Sequence, residues 1–173
     1  MRFFLVAVLL VVGAMANNAT AEVLDADKHG FTLQLEVTVA ATRAVAWTAA
    51  VENIDQWWNA DHTISGKASL LSIDARPLGC FCEATGGGVV HLTVTTVSRD
   101  VNLRMTGGLG PLGLMGVNGN MTWEFFDVEG GTRIRFSYAV GGYSPEGLDS
   151  LAPAVDFVLG DALQRLKNYI DAG

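Results

Sequence analysis

Apolar and polar residues alternate singly from Phe31 to Val39. Phe31, Leu33, Leu35, Val37 and Val39 share one face, and Thr32, Gln34, Glu36 and Thr38 the other, the pattern of a strand with one buried side. The end of the chain has a different period. Leu151, Val155, Val158, Leu159, Ala162, Leu163, Leu166, Tyr169 and Ile170 fall in one arc of roughly 140° at helical spacing. Asp161, Gln164, Arg165, Lys167, Asn168 and Asp171 lie opposite, and Asp161 can pair with Arg165 four residues on. This predicts a long helix from Leu148 to Asp171, with Pro153 in its first turn. Phe157 sits on the polar side without an evident partner. A helix with so broad an apolar face needs a sheet to lie on.

The intervening pattern supplies that sheet. Residues 22–30 read as a polar lead-in. Thr42 is expected to cap a short helix running to about Val51. Asn53 and Gln56 resemble a capping box for a second, carrying Ile54, Trp57 and Trp58. After a polar loop over residues 59–67, short strands follow around Leu71, Cys80 to Thr85, Val89 to Val97, Leu103, Trp123, and Ile134 to Val140. Glycine-rich turns such as Gly86-Gly87-Gly88 and Glu129-Gly130-Gly131 separate them. Tight turns make neighbouring strands antiparallel. The expected fold is therefore α+β: seven strands in a curved antiparallel sheet, two short helices after the first strand, and the long helix gripped by the sheet.

The N-terminus changes the picture of where this domain works. Met1-Arg2 precedes an unbroken apolar run, Phe3 to Val12, and then two A-x-A sites, Ala14-Met15-Ala16 and Ala19-Thr20-Ala21. That is the layout of a secretory signal peptide, and the run is too short for a bilayer span of about 20 residues. The expectation is a signal over residues 1–21, a single domain over 22–173, and a secreted or periplasmic location without stable membrane insertion. The formal net charge of −7 argues against nucleic acid and anionic membrane surfaces as partners.

Several local sequences point one way together. They are Trp57-Trp58 followed by Asp61-His62-Thr63 and Ser65-Gly66, then Gly79-Cys80-Phe81-Cys82-Glu83, Val89-Val90-His91, Leu109-Gly110-Pro111-Leu112 and Gly141-Gly142-Tyr143, with the terminal helix last. In this order they resemble the START-related SRPBCC superfamily, the helix-grip, polyketide cyclase-like proteins. The resemblance covers nearly all of residues 31–171. It implies a seven-stranded sheet around the last helix with an apolar cavity between them. Members include lipid and hormone carriers, polyketide cyclases or aromatases, and activators of a cytosolic chaperone. No catalytic signature runs through the superfamily, so fold does not decide function.

Three residues are candidates for catalysis: His62, Cys82 and His91. Cys80 and Cys82 lie two apart on a strand and share a face. A two-residue turn at Gly86-Gly87 would set Cys82 opposite His91 and Cys80 opposite Thr93. A thiol beside an imidazole can be a nucleophile. Cys80, Cys82 and His91, with His62 as a fourth ligand, can equally hold a soft metal. The plainer alternative is two small buried residues beside a hydrogen-bonded histidine, and a one-residue slip would put His91 on the other face. At about 6.7 Å between Cα atoms the two cysteines are expected to stay unpaired thiols. Asp61 and His62 can form an acid–base pair at a cavity mouth or simply cap local structure. Glu83 and Glu124 are lone strand carboxylates; each can be an acid in an apolar cavity, but neither has an evident partner, and an outward, solvated position is expected.

Trp57, Trp58, Phe81, Trp123, Phe136 and Tyr138, with Val155, Leu159 and Leu163 of the helix, are the candidate ligand-binding residues. The loop from Gly107 to Gly119 lacks a phosphate-binding Gly-Lys-Ser/Thr. Its leucines suit a lid or a closed barrel end. The expectation is an exported carrier or sensor of a small hydrophobic or aromatic molecule, needing no cofactor. Alternatives are a cyclase, dehydratase or hydrolase using His62, Cys82 or His91, and a protein with a filled cavity acting through its surface.

Overall fold

The computed structural model describes residues 20–173, so nearly all of the expected signal segment lies outside the described residues. Thr20 and Ala21, placed in that segment by the sequence pattern, begin a strand. The elements are β1 (Thr20–Asp27), β2 (Gly30–Val39), α1 (Arg43–Trp47), α2 (Ile54–Trp57), β3 (Leu71–Ile73), β4 (Cys80–Glu83), β5 (Val89–Ser98), β6 (Asn102–Gly107), β7 (Gly116–Val128), β8 (Gly131–Tyr143) and α3 (Ala152–Asp171). A π-helical turn, Thr48–Glu52, continues α1, and 3-10 turns occupy Ala60–His62, Gly110–Leu114 and Asp149–Leu151.

The strands form one antiparallel sheet in the order β1-β2-β8-β7-β6-β5-β4-β3. It has eight strands against the seven expected. The extra one is β1, formed where a polar lead-in was expected. Its Glu22 to Asp27 are exposed on both faces, so no alternation marks it. It forms because it pairs along β2, from Thr20 opposite Glu36 to Asp27 opposite Gly30.

In β2 every apolar residue from Phe31 to Val39 is buried and every polar one is not. α3 lies across this inner face. Leu159, Ala162, Leu163 and Leu166 are buried against a core that includes Trp47, Trp123, Phe125, Phe136 and Tyr138. Arg165 donates to Asp161 on the wet side at 2.9 Å. Thr42 caps α1, its hydroxyl accepting from the Val45 N–H. The capping box at Asn53 does not form. Its amide instead donates to the Tyr169 hydroxyl at 3.2 Å, tying the short helices to α3, and Gln56 turns to Asp55.

The cysteine expectation is corrected here. Cys80 and Cys82 are joined as a disulfide, with Cα atoms 5.3 Å apart. That lies inside the span a disulfide bridges, about 4.4–6.8 Å. The β4–β5 ladder is irregular at this point, and the strand contracts below its extended repeat. Phe81 pairs with Leu92, but Cys82 pairs with Val90. His91 is the extra residue of a bulge in β5, and the expected Cys82–His91 juxtaposition is lost.

Candidate functional site

A cavity of about 330 Å³ opens between the N-terminal half of α3 and the β3–β5 end of the sheet. Its deep wall is built from Trp58, Leu71, Phe81 and His91, all buried. Leu109, Gly110, Pro111, Leu112 and Met115 of the β6–β7 connection cover it. Leu151, Ala154, Val155 and Val158 of α3 close one side. Asp61, His62, Thr63 and Ile64 stand at the exposed end. So α3 divides its apolar face: the C-terminal half is packed core, and the N-terminal half is cavity wall.

The glycine-rich connection is pinned rather than loose at its start. The Tyr138 hydroxyl donates to the Gly107 carbonyl and accepts from the Leu109 N–H, both at 3.0 Å. Burial pushes the Tyr138 phenol above its ordinary range, partly offset by the Leu109 N–H, which keeps it a donor. A Cβ at Gly119 would come within 2.5 Å of the Tyr138 ring, so glycine there admits the ring. Leu109 and Leu112 turn inward while Leu114 is fully out in solvent.

Of the nine expected ligand-binding residues, Trp58, Phe81 and Val155 line this cavity. Trp57, Trp123, Phe136, Tyr138, Leu159 and Leu163 are packed in the core beside it. Trp123 stacks on Phe136 with ring centroids 4.3 Å apart. Trp58 meets Phe81 edge-on, and Phe81 meets His91, each at 5.4 Å. His62 lies at the exposed end, its ring edge-on to Phe157 and its Nε2 3.9 Å from Asp161. Asp161, not Asp61, is its acidic neighbour. Cys80 and Cys82 face away from the cavity, bonded to each other, while His91 faces inward, so the three cannot share a metal. Among the described residues no group of three or more metal-ligating side chains gathers anywhere.

The outward position expected for Glu83 is corrected here. Glu83 is buried on the inner face and accepts hydrogen bonds from the Ile64 N–H at 3.0 Å, the Ser65 N–H, and His91 Nε2 at 3.1 Å. The signal was present: Glu83 is two residues beyond inward-facing Phe81 and must share its face. Glu124, by contrast, faces outward as expected, near Arg135. Burial pushes the Glu83 carboxyl up, but hydrogen bonds from Ser65, Ile64 and His91 outweigh it and hold the group below its ordinary value. The folded protein therefore binds fewer protons at Glu83 than the unfolded chain does. The stability gained is complete above the ordinary value and is lost as pH falls through the depressed one. Wild type is expected to weaken from roughly pH 5 to pH 3, and Glu83→Gln to flatten that slope in urea melts at each pH. Asp161, lowered on balance by Asn59 and Arg165, adds to the slope in both proteins. Asp156, raised by burial, opposes it in both.

A curved antiparallel sheet gripping a long C-terminal helix, with a cavity between them, defines a helix-grip protein of the SRPBCC superfamily. The chain belongs to the polyketide cyclase / dehydrase and lipid transport family, whose model matches residues 28–171. No curated protein matches it. Among solved structures, a Rhizobium leguminosarum protein is similar over 90% of this chain and 99% of its own, at 20% identity and a TM-score of 0.59. Ara h 8.0201 is similar over 83% and 99%, at 14% identity and a TM-score of 0.58. The Aha1 protein of Colwellia psychrerythraea, solved as a dimer, is similar over 82% and 97%, at 16% identity and a TM-score of 0.55. At such identities the likeness is one of fold.

Proposed function

We propose that this chain is an exported carrier or sensor that holds a small hydrophobic or aromatic molecule between the sheet and α3. The observation that carries the proposal is the cavity. Its volume of about 330 Å³ falls in the range that small-molecule sites occupy, roughly 300–1,000 Å³. Its walls are apolar apart from His91 and the groups at the exposed end. Such a site gains affinity from apolar burial, and its few polar groups set orientation. The family's description includes lipid transport, which agrees with this reading. Export is supported by the charged start, the apolar run and the A-x-A sites. No helix among the described residues is long and apolar enough to cross a membrane.

The test is titration with prodan, a neutral naphthalene dye without hydrogen-bond donors. Wild type is expected to bind it in one saturable site with quenching of tryptophan emission. Val158 lines the cavity and is half-buried, so Val158→Trp can fill the space while its backbone stays in place. Overpacking against a bound ligand costs about 1–3 kcal/mol, so prodan affinity should fall by about fivefold to a hundredfold. The variant's melting temperature should stay close to wild type. Unchanged affinity in a folded Val158→Trp protein would place the dye elsewhere and remove the basis of the reading.

A further inference from the structure

The closed end of the cavity holds one polar group whose hydrogen bonding is incomplete. His91 is 6% exposed and lines the cavity. Its Nε2 is engaged with Glu83 at 3.1 Å, and no described protein group hydrogen-bonds its Nδ1. The other polar side chains on the wall are accounted for. Asp61, His62 and Thr63 stand at the exposed end, and the Trp58 indole N–H donates to the His62 carbonyl.

Two features fix how His91 is presented. The first is the bulge in β5. A regular ladder would alternate His91 and Leu92 between faces, but both are buried, so the bulge re-aims the imidazole inward. Gly107 permits this packing: a Cβ there would come within 2.9 Å of the His91 carbonyl oxygen. The second is Glu83. Its oxygens already accept from the Ile64 and Ser65 N–H groups, which favours the ionised, acceptor-only carboxylate. Nε2 must then carry the hydrogen. In a neutral imidazole this leaves the lone pair on Nδ1.

We propose that His91, oriented by Glu83, is the polar anchor of the cavity, and that its Nδ1 accepts a hydrogen bond from the hydroxyl of a phenol or alcohol with an otherwise apolar body. This rests on the cavity reading above and names the class of molecule the cavity selects. Glu83 acts as a positioning residue. An apolar molecule without a donor leaves Nδ1 desolvated and unpaired, so it binds more weakly than one that supplies the hydrogen.

The experiment is displacement of prodan by 2-naphthol and by naphthalene, with the dye's own affinity measured for each protein. Apolar burial alone favours naphthalene, so a preference for the naphthol isolates the hydrogen bond. Wild type is expected to bind 2-naphthol about tenfold more tightly than naphthalene. His91→Leu should bring the ratio to one or below, with naphthalene binding at least as tightly as in wild type because no unpaired Nδ1 faces it. A second readout needs no variant: the ¹⁵N resonance of His91 Nδ1 in wild type should shift with 2-naphthol and not with naphthalene. If the two molecules bind wild type equally, or the ratio survives His91→Leu, or the Nδ1 resonance does not respond, His91 is not the anchor, though the cavity reading stands. If neither prodan nor the naphthalenes bind, the cavity reading fails and this proposal falls with it.

Discussion

Trp123→Ala is expected to lower the melting temperature by roughly 10 °C, the consequence of about 3–5 kcal/mol for truncating a fully buried large aromatic in a domain of this size. Trp123 lies in mid-β7 with no exposure. It stacks on Phe136 of β8 and meets Trp57 of α2 at 6.2 Å, so it joins the sheet to the short helices. Truncation leaves a void bounded by rigid rings from two other elements, which can collapse only in part. One feature moderates the loss: the indole N–H is buried without a partner, and alanine removes that cost. Trp123→Phe keeps the stack while deleting the orphaned donor, so it should lose far less. Thermal melts followed by circular dichroism give both values. A Trp123→Ala protein melting within about 3 °C of wild type, under about 1.5 kcal/mol, would show that the ring is not a structural joint.

Trp123 also shows what the sequence could and could not say. Single alternation places Met121, Trp123 and Phe125 on one face of a strand and Ile134, Phe136, Tyr138 and Val140 on one face of the next, and all seven are buried. Periodicity ranks faces, however, not depth. It cannot say whether an inward ring meets another ring or an empty space. Here the long central strands β7 and β8 press their aromatics together. The short strands β3 and β4 and the first turns of α3 leave the gap. The same limit explains α3: one unbroken apolar arc serves as core at Leu159 and Leu163 and as cavity wall at Val155 and Val158. β1 was illegible for another reason. An edge strand exposed on both faces has no apolar alternation to detect and is defined by its partner's hydrogen bonds.

The candidate chemistry turned on a single residue of register. A regular turn pairs Cys82 with His91; the bulge moves Val90 there instead and sends His91 to the other face. Bulges have no periodic signature, so pattern alone left both outcomes open. The tie between Glu83 and the 59–67 loop joins residues 18 and 19 positions apart and needed the three-dimensional structure. The inward direction of Glu83 did not, since it follows from Phe81 two residues earlier.

Glu83 is where the second large effect is expected. Glu83→Ala removes a side chain that satisfies two backbone N–H groups and one imidazole at once. Ile64 and Ser65 have their N–H groups directed at its two oxygens, so the carboxylate fastens the loop that forms the exposed end of the cavity. With alanine there, the loop must reorient to find water, and His91 stays buried without its partner. Leaving buried donors unsatisfied costs about 1–3 kcal/mol each, so losing three partners at once should cost about 3–5 kcal/mol after the loop has turned part of them to water, again roughly 10 °C of melting temperature. Unlike Trp123→Ala, the damage should be local before it is global. Hydrogen exchange at Ile64 and Ser65 should accelerate at temperatures where the β2, β7 and β8 amides remain protected. Glu83→Gln distinguishes charge from shape: its amide oxygen can still accept from one N–H, so it should recover part of the stability. It should not restore a fixed His91 tautomer, because a neutral amide can either donate to Nε2 or accept from it. A Glu83→Ala protein as stable as wild type, with unchanged exchange at Ile64 and Ser65, would mean that the loop is held by other contacts and that the carboxylate does not organise this end of the cavity.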